Sequence, residues 1–276
     1  MDEITCVITG ASAGIGAAAA LELARSGARV VLVGRDPGKL AAVAARISAE
    51  TGTEPAAHQV DFTRLDEVRA LAGVLRDRYD RVDVLANNAG GLVRKRRLTV
   101  DGYEATIQVN HLAPFLLTAL LWDRLAAAPD ARVVTTSSAV ASLGRLDPLN
   151  LDRLGKPYSK WIAYFNSKQA NVLFTTELAR RAVGTSISAT CFHPGAVRSD
   201  FGRDWLPFRI FARLPLVSRT PEQAARTLVH LALEDEGATH SGGYFTGGRA
   251  ARLPRNCADP TLAAALWETS AAAVGV

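Results

Sequence analysis

The chain opens with a short strand, a glycine turn and an alanine-rich helix, and few architectures accept that order. Ile4-Thr5-Cys6-Val7-Ile8-Thr9 is an apolar run, Gly10-Ala11-Ser12-Ala13-Gly14-Ile15-Gly16 follows it, and a helix then continues to about Ser26 with Gly27 as its stop. Glycines at a strand–helix junction let the main chain approach a pyrophosphate, and the helix N-terminus offers amides and the positive end of a dipole. The spacing is Gly-x-x-x-Gly-x-Gly rather than the more familiar Gly-x-Gly-x-x-Gly, so a turn kept for packing is the competing reading. Its place at the first strand–helix junction favours a bound dinucleotide.

The remaining chain repeats the alternation. Strand-like runs at 29–33, 55–60, 82–86, 131–136, 185–192 and 243–246 are separated by helical stretches. That order predicts an α/β fold with a Rossmann-type, doubly wound parallel sheet of about seven strands, covered by helices on both faces. The length of 276 residues and a 48% hydrophobic content suit one such domain over 1–276. The longest uncharged run, Ala105 to Trp122, contains Gln108, Asn110, His111 and Pro114, which makes it a buried helix rather than a membrane span. The surrounding stretch, Asp101 to about Ala127, reads as one long helix. Pro114 cannot donate to the Asn110 carbonyl, so a kink there would leave an oxygen to hold a water.

Several residues stand where a parallel sheet places ligands, just past its strand ends. The second strand ends at Gly34-Arg35, and Asp36-Pro37 has the pattern of an N-cap and first helical residue. Asp36 is therefore assigned to capping and Arg35 to a 2′-phosphate, which predicts NADP(H) over NAD(H). Asp61 follows the third strand, where an adenine could be met. Asn87-Asn88-Ala89-Gly90-Gly91 follows the fourth and Ser137-Ser138 the fifth. Tyr164 and Lys168, four apart, share one helix face, and a cation beside a phenol favours phenolate. Residues 200–219 carry Phe201, Trp205, Phe208 and Phe211 with arginines between them. They read as a cover over a bulky apolar or aromatic substrate, with core packing or an oligomer contact as the alternative, and a C-terminal tail runs from about 254 to 276.

Composition narrows the rest. The formal charge of +5 comes from scattered arginines, with one cluster at Arg94-Lys95-Arg96-Arg97, so no nucleic-acid surface is expected. Cys6, Cys191 and Cys257 are odd in number and far apart, which offers neither a disulfide framework nor a metal set. The chain begins Met-Asp-Glu and runs directly into a strand, so neither a leader nor a membrane anchor is expected, and a cytoplasmic location is.

Taken together, Thr9-Gly10-Ala11-Ser12-Ala13-Gly14-Ile15-Gly16, Asn87-Asn88-Ala89-Gly90, Asn110, Ser138, Tyr164-x-x-x-Lys168 and Pro194-Gly195 resemble a short-chain dehydrogenase/reductase over nearly the whole chain. Asp101-Gly102-Tyr103-Glu104, Val109-Asn110-His111-Leu112, Ala163 to Asn171 and Leu266-Trp267-Glu268 are most similar to the retinol dehydrogenase branch. So is the gap of 26 residues from Ser138 to Tyr164. Thr135 departs from the pattern, standing where Asn is usual.

The resemblance implies an NADP-dependent oxidoreductase that interconverts a ketone or aldehyde and an alcohol. Tyr164 would be the general acid or base, Lys168 would lower its pKa and hold the nicotinamide ribose, Ser138 would bond the substrate oxygen, and Asn110 would hold a relay water. The cofactor would meet Gly10, Ser12, Gly14, Ile15 and Gly16 at the first turn, and Arg35, Asp61 and Phe62 at the adenosine end. Asn87, Ala89, Gly90, Tyr164 and Lys168 would line its middle, with Pro194, Gly195, Val197 and Ser199 at the carboxamide and pyrophosphate. Ser138, Trp205 and Phe208 would meet substrate. Tyr158, followed four residues on by Ile162, is a decoy, and His111 and His193 are structural. The partners implied are a small-molecule carbonyl or alcohol and a second copy in a homo-oligomer, with no nucleic acid, membrane or metal. An epimerase or dehydratase on the same fold, or a cofactor-sensing regulator, is the alternative. Intact Tyr164 and Lys168 argue against the regulator.

Overall fold

The computed structural model describes residues 3–153, 155–197 and 218–276. At its centre β1 (Thr5–Thr9), β2 (Arg29–Gly34), β3 (Ala56–Gln59), β4 (Val84–Asn87), β5 (Ala131–Thr136) and β6 (Ile187–His193) lie parallel in the order β3-β2-β1-β4-β5-β6. A separate parallel ribbon joins β7 (Ala196–Val197) to β8 (Ser218–Arg219). β9 (Tyr244–Thr246) then extends the main sheet beside β6, and β10 (Arg249–Ala251) closes that edge antiparallel. Among the described residues the sheet thus has the seven parallel strands expected, plus an eighth that the sequence reading lacks. Gly247 and Gly248, both at positive φ (63° and 79°), make the tight β9–β10 turn.

The strands read as nearly unbroken apolar runs because both sheet faces are buried. Val7, Val31 and Val33 point into one core, and Cys6, Ile8, Val30 and Leu32 into the other. The second core is covered by α1 (Gly14–Arg25), α2 (Pro37–Thr51) and, after the ribbon, α8 (Pro221–Leu233). The first is covered by α3 (Leu65–Arg78), α5 (Ala113–Leu120), α7 (Lys160–Arg181) and α10 (Pro260–Val274). Asp36 caps α2 as its sequence predicts: its Oδ1 accepts from the Lys39 amide at 3.0 Å, with Pro37 in the first turn. Cys6, Cys191 and Cys257 are buried free thiols.

The expected long helix over 101–127 is not continuous. Residues 99–103 form a turn, and Glu104 caps a short α4 (Ala105–Ile107) by accepting from the Thr106 and Ile107 amides. A π turn, Gln108–Leu112, separates α4 from α5, and Leu121 breaks the chain before α6 (Trp122–Ala126). The missing N–H of Pro114 accounts for the wide turn immediately before it. Between α8 and β9 lies α9 (Asp235–Thr239). No helix among the described residues is long and apolar enough to cross a membrane.

β1 lies between β2 and β4, so strand order reverses there. In open α/β sheets the ligand crevice opens at such a point, outside the carboxyl ends of the strands.

Candidate active site

A crevice of about 440 Å³ opens at that edge of the sheet. The first turn forms one end of it. Gly10 and Gly14 adopt left-handed backbone (φ 67° and 59°). Gly16 serves closeness instead, since a Cβ there would lie 2.3 Å from the Gly10 carbonyl oxygen. Around Gly14 the same test finds open space. The α1 N-terminus has no side-chain cap and no acid in its first turn, so its amides face the crevice uncompensated. A pyrophosphate fits such a cradle.

Thr9 and Asn88 hold the β1 and β4 ends together. The Thr9 hydroxyl donates to Ala86 O and accepts from the Asn88 and Ala89 amides, each at 3.0 Å. The Asn88 side chain donates back to Thr9 O at 3.0 Å and accepts from Thr136 Oγ1 at 3.2 Å. Asn87, by contrast, turns away from the crevice. Its amide donates to Thr118 Oγ1 at 3.0 Å inside the core. Its Oδ1 and the hydroxyl of Thr135, its neighbour across β4 and β5, find no partner among the described residues.

Asn110 sits in the π turn and clamps the glycine loop. Its Oδ1 accepts from the Gly91 amide at 2.7 Å, and its Nδ2 donates to Gly91 O and Ser167 Oγ, both at 2.9 Å. Any relay water at Asn110 must therefore use its main chain.

α7 carries the reactive face. Its start is capped by Ser159, and the loop before it is tied to its side: the Arg145 amide donates to Asn166 Oδ1 and the Leu146 amide to Gln169 Oε1, both at 2.9 Å. Tyr164 lines the crevice half-buried, with the Ser138 hydroxyl hydrogen-bonded to its phenol. Lys168 is buried. Its Nζ donates to Thr136 O at 3.0 Å and lies 5.7 Å from the Tyr164 ring centroid.

Burial overrides the charge effect predicted for this pair. The phenol of Tyr164 is pushed up by desolvation and only partly drawn back by Ser138, while desolvation pushes Lys168 down to about 8. The net shift of Tyr164 is therefore upward, against the depression expected from Lys168. A low-dielectric wall disfavours both charged forms, so Tyr164 keeps its proton at neutral pH. Tyr158 lies elsewhere, donating to Val93 O at 2.9 Å and meeting Glu104 at 3.2 Å.

At the far wall Pro194, Gly195 and Val197 line the crevice. The Gly195 amide donates to His193 Nδ1 at 3.2 Å, so that imidazole shapes the turn. His111 is likewise internal, with Nε2 2.8 Å from Ser270 Oγ and its pKa pushed down to about 3 by burial. Arg35 is exposed past β2 and makes no ion pair with the described residues. Ser12 packs against Gly34 beside it. Asp61 is committed to a turn, accepting from the Thr63 amide at 2.9 Å, and the Phe62 side chain lies in the core with its carbonyl accepting from Gln108 Nε2 at 3.3 Å, which leaves its backbone amide for a ligand.

Ser199, Trp205 and Phe208 lie outside the described residues, as does most of the expected cover. Its last two residues, Ser218 and Arg219, are strand β8. Sequence reasoning missed Val140, Trp161 and Phe165, which line the crevice beside Tyr164. The spacing of Trp161 to Tyr164 and Phe165, three and four residues, was the available signal.

The strand-order reversal, the glycine cradle and the Ser138, Tyr164 and Lys168 wall define a dinucleotide-binding α/β oxidoreductase. A family model described as short chain dehydrogenase matches residues 5–209, and the chain belongs to that family, in its retinol dehydrogenase-like branch. A Streptomyces sp. (strain C5) protein named as a daunorubicin C-13 ketoreductase is 47% identical over 98% of this chain and 92% of its own length. Human retinol dehydrogenase 13 is 37% identical over 99% of this chain and 85% of its own. A short chain dehydrogenase from Escherichia coli CFT073, solved with NADPH, superposes with a TM-score of 0.73 at 29% identity, covering 90% of this chain and 98% of that one.

Proposed function

We propose that this protein is a soluble, cytoplasmic, NADP(H)-dependent oxidoreductase that interconverts a ketone or aldehyde and an alcohol, with a bulky apolar or aromatic substrate. The observation that carries the reading is the Ser138 hydroxyl bonded to the Tyr164 phenol, with the Lys168 side-chain nitrogen 5.7 Å from that ring. NADPH, when bound, supplies the hydride. Ser138 donates to the substrate oxygen, where negative charge develops, and Tyr164 gives that oxygen its proton. Lys168 holds the ribose hydroxyls and keeps positive charge near the phenol. Asn110 holds the Gly90-Gly91 loop in register with Lys168, and its main-chain carbonyl is the place for a relay water. The relatives named for daunorubicin and retinol support a bulky substrate.

Arg35 supports the choice of NADP(H), because it is unpaired among the described residues while Asp36 is committed to its cap. A phosphate–guanidinium pair is worth roughly 1.5–3 kcal/mol. Calorimetry should therefore show NADPH bound at least about tenfold more tightly than NADH, and Arg35→Ala should erase most of that difference. Equal affinities in the wild type would defeat the cofactor assignment.

Lys168 gives the binding a pH dependence. Its pKa in the protein is about 8, and an anionic cofactor stabilises the ammonium. Binding then takes up a proton above that pH, so NADPH affinity should fall as pH rises through 8, by up to about tenfold per unit. Titrations in two buffers of different ionisation enthalpy would read the uptake directly. A flat profile from pH 7 to 10 would contradict it.

A further inference from the structure

The geometry points to an aryl subsite built by Trp161 and Phe165, which selects planar fused-ring carbonyl compounds; it rests on the carbonyl-reduction reading above. Trp161, Tyr164, Phe165 and Lys168 occupy positions i, i+3, i+4 and i+7 of α7, so they share one face. All four line the crevice. That face has a direction. Lys168 is at its glycine-loop end, since a Cβ on Gly90 would lie 3.3 Å from the Lys168 amine. Trp161 is at the other end, about 10 Å along the axis. With a substrate oxygen held at Ser138 and Tyr164, the body of the molecule runs toward Trp161.

What it meets there is aromatic. The Trp161 and Phe165 rings lie 6.5 Å apart, centroid to centroid, inclined by only 33°. Val140, two residues past Ser138, adds an apolar neighbour. The Lys160 ammonium, 5.3 Å from the indole centroid, engages the Trp161 ring. A puckered alicyclic body touches such a wall at a few atoms, whereas a fused aromatic system covers it and gains offset stacking, worth about two- to tenfold in affinity beyond its buried area.

The test uses methyl naphthyl ketone and its saturated counterpart, methyl decalinyl ketone, which share a carbon skeleton. The wild type should favour the naphthyl ketone by about two- to tenfold in kcat/KM. Trp161→Leu, which keeps apolar bulk, should abolish that preference, with the naphthyl ketone losing more than the decalinyl ketone, and Trp161→Phe should retain part of it. No preference in the wild type, or an equal loss for both ketones in Trp161→Leu, overturns the subsite. Calorimetry of each ketone with NADPH-loaded Tyr164→Phe protein separates this from the activity. If neither ketone is reduced but the naphthyl preference persists in binding and disappears with Trp161→Leu, the subsite stands and the oxidoreductase reading falls.

Discussion

Tyr164→Phe should lose turnover by about a hundredfold or more while NADPH still binds. The substitution keeps the ring that lines the crevice and removes only the oxygen that Ser138 touches. General acid catalysis contributes typically 10²–10⁴-fold, and no other described phenol lies beside Ser138 to replace it. Tyr158→Phe is the control. Its hydroxyl bonds Val93 O and Glu104 rather than the crevice, and Glu104 keeps the Thr106 and Ile107 amides as partners. That variant should retain activity within about threefold and lose roughly 1 kcal/mol of stability. Steady-state rates and NADPH titrations on both proteins would show it. Reversed behaviour would move the catalytic proton to the other tyrosine.

Two glycines of the first turn should fail in different ways. In Gly16→Ala the new Cβ would sit 2.3 Å from Gly10 O and 2.6 Å from Asn88 Nδ2. Neither can yield without moving α1 away from the turn or breaking the Asn88–Thr9 clamp. We expect at least about 2 kcal/mol of lost stability, and loss of cofactor binding with it. Gly14→Ala meets nothing within 4 Å and is strained only by its φ of 59°. It should cost about 1–2 kcal/mol, yet weaken NADPH binding because the methyl group enters the cradle. Thermal melts with and without NADPH distinguish the two. A Gly14→Ala protein as unstable as Gly16→Ala would mean that the turn is built for packing alone.

Local chemistry made much of this legible from the residues. The Asp36-Pro37 cap, the first glycine turn and the shared face of Tyr164 and Lys168 depend on neighbours a few residues apart, and the structure shows each. What escaped depends on distant partners. Nothing in the segment around Asn110 reveals that its side chain clamps Gly91, nineteen residues earlier. The balance between burial and charge at Tyr164 needs the crevice walls, so reasoning from Lys168 alone gave the wrong sign. Aromatic density points to Trp205 and Phe208, whereas the place of Trp161 and Phe165 on the crevice wall depends on how α7 packs. The β9–β10 hairpin was within reach, because Gly247-Gly248 is a turn signal in the sequence itself.

The most direct test of carbonyl reduction at Tyr164 follows the label. Wild-type protein is given NADPH carrying deuterium at the transferable position, together with methyl naphthyl ketone, and the product is read by mass spectrometry. The account predicts an alcohol with one deuterium on the carbinol carbon, formed in step with NADP, and almost none from Tyr164→Phe. Unlabelled product, or product formed without net NADPH consumption, would contradict it and favour an epimerase or dehydratase on the same fold.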